Sequence, residues 1–258
     1  MSDTMLGLED KVVVVTGSSQ GVGRGCALQF ARAGAHVVIV ARGLDLAEEV
    51  AAEVRALGRQ SIAVQADVLR KEDVDRMIAA ALDKFGRIDV GVNNVGGRGG
   101  TPPGTVLESE PGFWRETFEI SLFTVLLNTK AFAATMVERQ IHGSIVNVAS
   151  VAALKSTPGI ATYGAAKAAV MQLTKTLATE LGPYGIRVNA VAPGMVDTKA
   201  LAAFLTPEER ANRVAKIPLA RLATPDDIGK AVVLVASDLA GWITGETVVT
   251  DGGQSLRG

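Results

Sequence analysis

Three side chains can do chemistry together in this sequence: Ser150, Tyr163 and Lys167. Tyr163 and Lys167 stand at i and i+4, which places them one turn apart on the same face of a helix. An ammonium that close to a phenol favours the phenolate and draws its pKa from about 10 towards neutrality. Ser150 closes a β-branched run, Ser144 to Ala149, so its hydroxyl sits at a strand end. There it can share a substrate oxygen with the tyrosine. The set supplies a proton donor, a group that tunes its pKa and an orienting hydroxyl. Tyr-x-x-x-Lys by itself reads more simply as a packed tyrosine beside a solvated lysine. The serine upstream, on a strand end, shifts the balance towards chemistry.

The elements that must position these residues follow from hydrophobic pattern and breakers. Lys11 to Val15 is a continuous valine strand of the kind buried on both faces of a parallel sheet. It opens into Thr16-Gly17-Ser18-Ser19-Gln20-Gly21-Val22-Gly23, and a helix then runs to about Ala33. Strand, glycine-rich turn and helix N-terminus form a phosphate-binding arrangement. The spacing is G-x-x-x-G-x-G and not G-x-G-x-x-G, so a plain tight turn competes evenly with that reading. The second strand, His36 to Ala41, is followed by Arg42, with no acid before Asp45. In a dinucleotide fold an acid there would bind ribose hydroxyls and an arginine would accommodate a 2′-phosphate. Arg42 therefore favours NADP(H) over NAD(H); its other reading is a solvated helix-start residue.

Residues 44–57 read as a helix closed by Gly58, and 61–65 as a third strand ending in Ala66-Asp67-Val68. Asp67, past a strand's carboxyl end, meets an adenine or caps the helix 71–85. Strand 88–92 leads to the loop Asn93-Asn94-Val95-Gly96-Gly97-Arg98-Gly99-Gly100, whose glycines imply unusual backbone angles or a close ligand. A long helix over 111–139, strand 144–149, the Tyr/Lys helix 160–181 and strand 186–191 follow. Residues 199–219 read as a helical insertion carrying Leu201, Phe204 and Leu205, a candidate substrate lid. Those apolar residues equally suit packing of the lid itself. A helix over 225–237 and a strand over 246–250 close the chain. Regular alternation predicts an α/β fold: one domain over 1–258, a doubly wound parallel sheet of about seven strands with helices on both faces.

Composition excludes several classes. Net charge is −1 with no basic run, so nothing marks a nucleic-acid partner. The single cysteine, Cys26, lies in a helical apolar pattern and reads as a buried structural thiol in a reducing compartment. No leader pattern opens the chain and no apolar run reaches spanning length, which together predict a cytoplasmic protein with no membrane partner. His36 and His142 read as structural or solvated, and no metal-ligand cluster stands out.

With these residues placed, the sequence resembles the short-chain dehydrogenase/reductase family over nearly its whole length. Thr16-Gly17-x-x-x-Gly21-x-Gly23 is similar to that family's cofactor turn, which implies contacts from Gly17, Ser19, Gln20, Gly21, Val22 and Gly23. Asp67 and Val68 join that list with the third strand, and Asn94, Val95 and Gly96 with a segment similar to Asn-Asn-Ala-Gly. Pro193-Gly194-Met195-Val196-Asp197-Thr198 matches the family's Pro-Gly segment, which implies that Pro193, Gly194, Val196 and Thr198 hold the nicotinamide end. Ser150, Tyr163 and Lys167 match the catalytic serine and Tyr-x-x-x-Lys pair, and Tyr163 and Lys167 would also touch the cofactor. The tail from Arg221 to Gly253 matches as well. One departure stands out: Ser121 occupies the place of a catalytic asparagine that holds a water linking the lysine to solvent, and Asn128 lies about 10 Å along the helix, too far to replace it.

The resemblance implies reversible hydride transfer between NADP(H) and a carbonyl or secondary alcohol, with a 3-oxoacyl thioester among the open substrates. An NAD-linked alcohol dehydrogenase is the nearest rival; a cofactor-binding regulator with weak catalysis is another. It also implies a homo-oligomer, tetramer or dimer, joined through the helices 111–139 and 160–181.

Overall fold

The computed structural model describes residues 5–256 apart from residue 204, so Phe204 of the candidate lid lies outside the described residues. Seven strands alternate with helices: β1 (Val12–Thr16), α1 (Gly21–Arg32), β2 (His36–Ala41), α2 (Leu44–Ala56), β3 (Ser61–Gln65), α3 (Lys71–Phe85) and β4 (Val90–Asn93). Then come α4 (Pro111–Phe118), α5 (Thr124–Glu138), β5 (Ser144–Val148), α6 (Ala161–Leu181), β6 (Arg187–Pro193), α7 (Lys199–Ala202), α8 (Pro207–Val214), α9 (Pro225–Ala236) and β7 (Thr247–Thr250). The sheet order is β3-β2-β1-β4-β5-β6-β7 and every pairing is parallel. The direction of winding reverses between β1 and β4, the point at which open α/β sheets bind ligands.

Alternation along β1 shows why a continuous valine run forms a central strand. Val13 and Val15 enter one core with α1, α2 and α9, while Val12 and Val14 enter the other with α3, α5 and α6. With helices on both faces, no residue of the strand is left to face water. Two asparagines inside the sheet bond to each other and to the helices, although Asn93 Oδ1 and the Ser144 hydroxyl have no partner among the described residues. Asn93 and Asn147 are Cα partners across β4 and β5. Asn93 donates to Asn147 (2.8 Å) and Thr129 (2.9 Å), and Asn147 to Thr174 (2.9 Å). This chain ties the strand ends below the site to α5 and α6. Pro193 is tolerated in β6 because its only partner there is Thr250 of β7, after pairing with β5 has ended at Val191.

Two elements differ from the sequence reading. The helix expected over 111–139 is broken by a π-helical turn, Glu119–Phe123, between α4 and α5. Such turns re-aim side chains, and this one carries Ser121. Within the span Pro111–Glu138 an 18-residue window with a mean hydropathy of 1.5 is long and apolar enough to cross a membrane, contrary to the expectation that no run would be. Half of that window is buried against the rest of the domain, as befits a core helix. The stretch 199–219, the candidate lid, holds two short helices among its described residues, not one. Thr206 accepts from the Glu209 N–H, Glu209 returns a bond to Thr206, and Pro207 sits at the first helical position, which forces a fresh start for α8.

Candidate active site

At the switch point a cleft of about 290 Å³ opens between the carboxyl ends of β1 to β4. Its walls include Gly17, Ser19, Gln20, Arg42, Asp67 and Val68, and it closes on Asn94, Val95 and Gly96. Gly17 and Gly21 hold φ of +64° and +55°, turning the chain sharply into α1. A Cβ on Gly23 would come within 2.2 Å of the Gly17 carbonyl and 2.6 Å of the Asn94 amide, so nothing larger fits there. Among the described residues, α1 has no side-chain cap at Gln20 and no acid in its first turn. Its free N–H groups and positive end therefore face the cleft, the cradle a pyrophosphate requires.

Within this cleft the sequence candidates divide by task. Asn94 Nδ2 donates to the carbonyls of Thr16 (3.0 Å) and Gly17 (3.1 Å), while the Thr16 hydroxyl accepts from the Asn94 N–H (3.1 Å) and donates to Val92 (3.2 Å). Asn94 thus clamps the turn from behind. Asp67 does not cap α3: its carboxylate accepts from the Leu69 N–H (3.1 Å), and Arg70 is the cap residue, without a side-chain bond. Arg42 is exposed at the end of β2. Ala66, Leu69, Val40 and Ile120 also line the cleft, and no motif marks them. Thr198 caps α7 by accepting from the Leu201 N–H (3.2 Å), and its methyl would lie 3.7 Å from a Cβ on Gly21. The Pro193–Thr198 segment therefore forms the opposite bank of the same turn.

The second group lies at the end of β5. Ser150 follows the strand with extended φ of −165°, and its Oγ accepts from the Ala152 N–H (3.2 Å), which leaves its own proton free to donate. Lys167 is 2% exposed, and its ammonium donates to the Val148 carbonyl at 2.7 Å. It stands 5.8 Å from the centre of the Tyr163 ring, over the ring face. Burial depresses Lys167 to about 8. Burial raises the Tyr163 phenol above its ordinary value, against the pull of the Ser150 hydroxyl and of the Arg98 charge. The expectation that Lys167 draws the phenol towards neutrality is corrected here: its ammonium is spent on Val148 and loses solvation.

A family model described as enoyl-(acyl carrier protein) reductase matches residues 17–255. The chain belongs to the short-chain dehydrogenase/reductase family. The 3-oxoacyl-(acyl-carrier-protein) reductase of Synechocystis sp. is 40% identical over 255 residues, 98% of this chain and 100% of that one. The 3beta-hydroxysteroid dehydrogenase 1 of Eggerthella lenta is 38% identical over 251 residues, 96% of this chain and 95% of its own. A solved 7 alpha-hydroxysteroid dehydrogenase, complexed with NADH and 7-oxo glycochenodeoxycholic acid, superposes with a TM-score of 0.91 at 32% identity over 96% of both chains. This chain is thus an NAD(P)-dependent oxidoreductase of the short-chain dehydrogenase/reductase type.

In this short-chain dehydrogenase/reductase, Ser121 is fully buried in the π turn. Its hydroxyl donates to the Gly97 carbonyl (2.8 Å) and accepts from the Gly97 N–H (3.1 Å). A Cβ on Gly96 would lie 2.5 Å from the Lys167 ammonium and 3.6 Å from the Ser121 oxygen, so the two groups face one spot. Asn128 is buried on α5 and donates to Thr124 (2.6 Å); among the described residues its Oδ1 has no partner. His36 accepts from the Gln60 N–H (3.1 Å) and stacks on Phe85, a structural role. Cys26 is buried, and its thiol is pushed up to about 12.

Proposed function

We propose that this oxidoreductase is an NADP(H)-linked ketone reductase, with Ser150, Tyr163 and Lys167 as its catalytic set and residues 199–219 as a lid over the substrate. The nicotinamide, when bound, supplies or takes up the hydride. Tyr163 gives its phenolic proton to the carbonyl oxygen, and Ser150, its lone pair occupied by Ala152, donates a hydrogen bond to that same oxygen. Lys167 grips the strand end that carries Ser150 and holds positive charge beside the phenol. A phenol raised above its ordinary value stays protonated at neutral pH, the form that reduction consumes.

The observation that carries the cofactor preference is Arg42 on the wall of the cleft beside Ala41, where Asp67 is the only acid on the lining. A guanidinium there pairs with a 2′-phosphate. The solved neighbour complexed with NADH supports the rival reading, an NAD-linked alcohol dehydrogenase. Titration with NADPH and NADH, followed by nicotinamide fluorescence, separates them. NADPH should bind more tightly, and Arg42→Asp should abolish that preference; an unchanged preference overturns the role of Arg42. Tyr163→Phe should abolish turnover and spare dinucleotide binding; full activity in that variant removes the catalytic assignment. The reading extends to a cytoplasmic homo-oligomer, tetramer or dimer, supported by Phe123, Leu126 and Val137, which repeat along one exposed face of the 119–138 span.

A further inference from the structure

In the loop after β4, Gly99 answers to a backbone angle, with φ of +61°. Gly96 and Gly97 do not, since neither takes a positive φ. What separates these two is space. A Cβ built on Gly97 would have no heavy atom within 4 Å. One built on Gly96 would stand 2.5 Å from the Lys167 ammonium and 3.3 Å from the methylene that carries it, with the Ser121 oxygen next at 3.6 Å. The first contact is well inside the roughly 3.5 Å at which non-bonded atoms pack. Four elements converge on this spot. The lysine comes from α6, the Val148 carbonyl that accepts from it at 2.7 Å from β5, Ser121 from the π turn, and the gap from the loop. Lys167 is 2% exposed, and Val148 is its one hydrogen-bond partner among the described residues. A buried ammonium that loses its acceptor is left with an uncompensated charge.

We propose that Gly96 is a positioning residue for the reaction: the side chain it lacks is the slot that holds the Lys167 ammonium between the cofactor cleft and the end of β5. The inference rests on the assignment of Lys167 to the catalytic set and says what aims that lysine. With no Cβ in the way, the ammonium reaches the wall of the cleft that Gly96 itself lines. A methyl group there must move either the loop or the lysine. The loop is the firmer of the two. Gly96 lies between Asn94, bonded to the carbonyls of Thr16 and Gly17, and Gly97, both of whose polar groups Ser121 holds. The lysine head stands at the end of a long flexible stem, so it is the part that yields. On leaving Val148 it gives up its grip on the strand end that carries Ser150. It also carries its charge away from Tyr163, whose ring centre is 5.8 Å distant.

The test is a double-mutant cycle of Gly96→Ala and Lys167→Met in the intact protein, with Gly97→Ala as the neighbouring control. In urea unfolding without cofactor, Gly96→Ala should lower the midpoint of the wild type. In Lys167→Met, whose side chain ends one atom short of the ammonium, the closest stem atom would stand at 3.3 Å. There the same substitution should hold the midpoint or raise it, because alanine narrows the freedom of the unfolded chain. The same change in both backgrounds, or a larger fall in Lys167→Met, overturns the proposal and leaves Gly96 a general packing residue. With saturating NADPH and methyl 3-oxobutanoate as the ketone, kcat of Gly96→Ala should fall by about 10- to 100-fold, the weight of a hydrogen bond to a charged group. Kd for NADPH should rise by less, and Gly97→Ala should match wild type. A loss carried by Kd alone, with kcat intact, overturns the proposal and makes Gly96 a cofactor contact only. Equal loss in Gly97→Ala overturns it in favour of loop conformation. Turnover in Lys167→Met equal to a measurable wild-type rate removes the catalytic assignment of that lysine and this inference with it. Should wild type reduce neither methyl 3-oxobutanoate nor cyclohexanone with NADPH bound, the reductase reading fails, and the midpoints alone decide whether Gly96 places the ammonium.

Discussion

Lys167→Met should make the protein more stable at neutral pH while destroying its activity. The magnitude follows from burial. The ammonium is 2% exposed and its pKa falls from 10.5 to about 8. At 1.36 kcal/mol per tenfold change in proton affinity, that is roughly 3 kcal/mol against the charged form in the folded state. The sign is that of a buried base with depressed affinity: the folded chain binds fewer protons than the unfolded chain between pH 8 and 10.5. The penalty is therefore complete below pH 8 and is relieved as pH rises towards 10.5. Replacing Lys167 also strands the Val148 carbonyl, which accepts from it at 2.7 Å. A lost hydrogen bond of this kind subtracts about 1 kcal/mol, so the net gain at pH 7 is about 2 kcal/mol. Urea unfolding of wild type and variant without cofactor, at pH 7 and pH 10, measures both the gain and its loss. Because other titrating groups are common to both proteins, the difference isolates Lys167. A variant less stable than wild type at pH 7, or a difference that does not shrink by pH 10, would refute the reasoning. Loss of activity beside gain of stability is the usual trade at a site that keeps a buried charge for function.

Two further outcomes follow from the same geometry. Gly23→Ala places a Cβ within 2.2 Å of the Gly17 carbonyl. It should weaken NADPH binding by about 10- to 100-fold, the effect of an overpacked contact of 1–3 kcal/mol, as read by fluorescence titration. Ser121→Ala leaves the half-buried Gly97 N–H and carbonyl without their partner and should cost about 1 kcal/mol in urea unfolding. Thr117 and Glu116 still fasten Arg98 and Gly100, so the loop should loosen without detaching, and KM for the ketone should rise more than Kd for NADPH.

The sheet was legible because its strands are buried on both faces, which leaves uninterrupted runs such as Val12–Val15 and His36–Ala41 between glycine stops. Ser150, Tyr163 and Lys167 were legible as spacing. What that spacing did not carry is direction. A lysine at i+4 can point its ammonium at the phenol or at a backbone carbonyl, and the free Val148 carbonyl at the end of β5 is a fact of tertiary structure. The π turn left no trace because the stretch from Pro111 to Glu138 is apolar enough that one residue of slippage does not break its pattern. The break between α7 and α8 did leave one. Thr206-Pro207-Glu208-Glu209 is a capping box with proline at the first helical position, outweighed in the sequence reading by Leu201, Phe204 and Leu205 just before it.

Ser121 joins the two halves of the site. At the place where the family resemblance implies an asparagine holding a water beside the lysine, a shorter hydroxyl closes in both directions on Gly97. Its proton is committed to a carbonyl and one lone pair to an N–H, so it has little left with which to hold a water. What it gains is the loop. With Gly97 fastened there, Arg98 by Thr117 and Gly100 by Glu116, the residues facing Tyr163 and Lys167 have one backbone course, and the single side chain on it is a cation. The departure from the family pattern is therefore also a structural device: where the resemblance implies an asparagine of the proton relay, the hydroxyl fastens the loop after β4 beside Lys167.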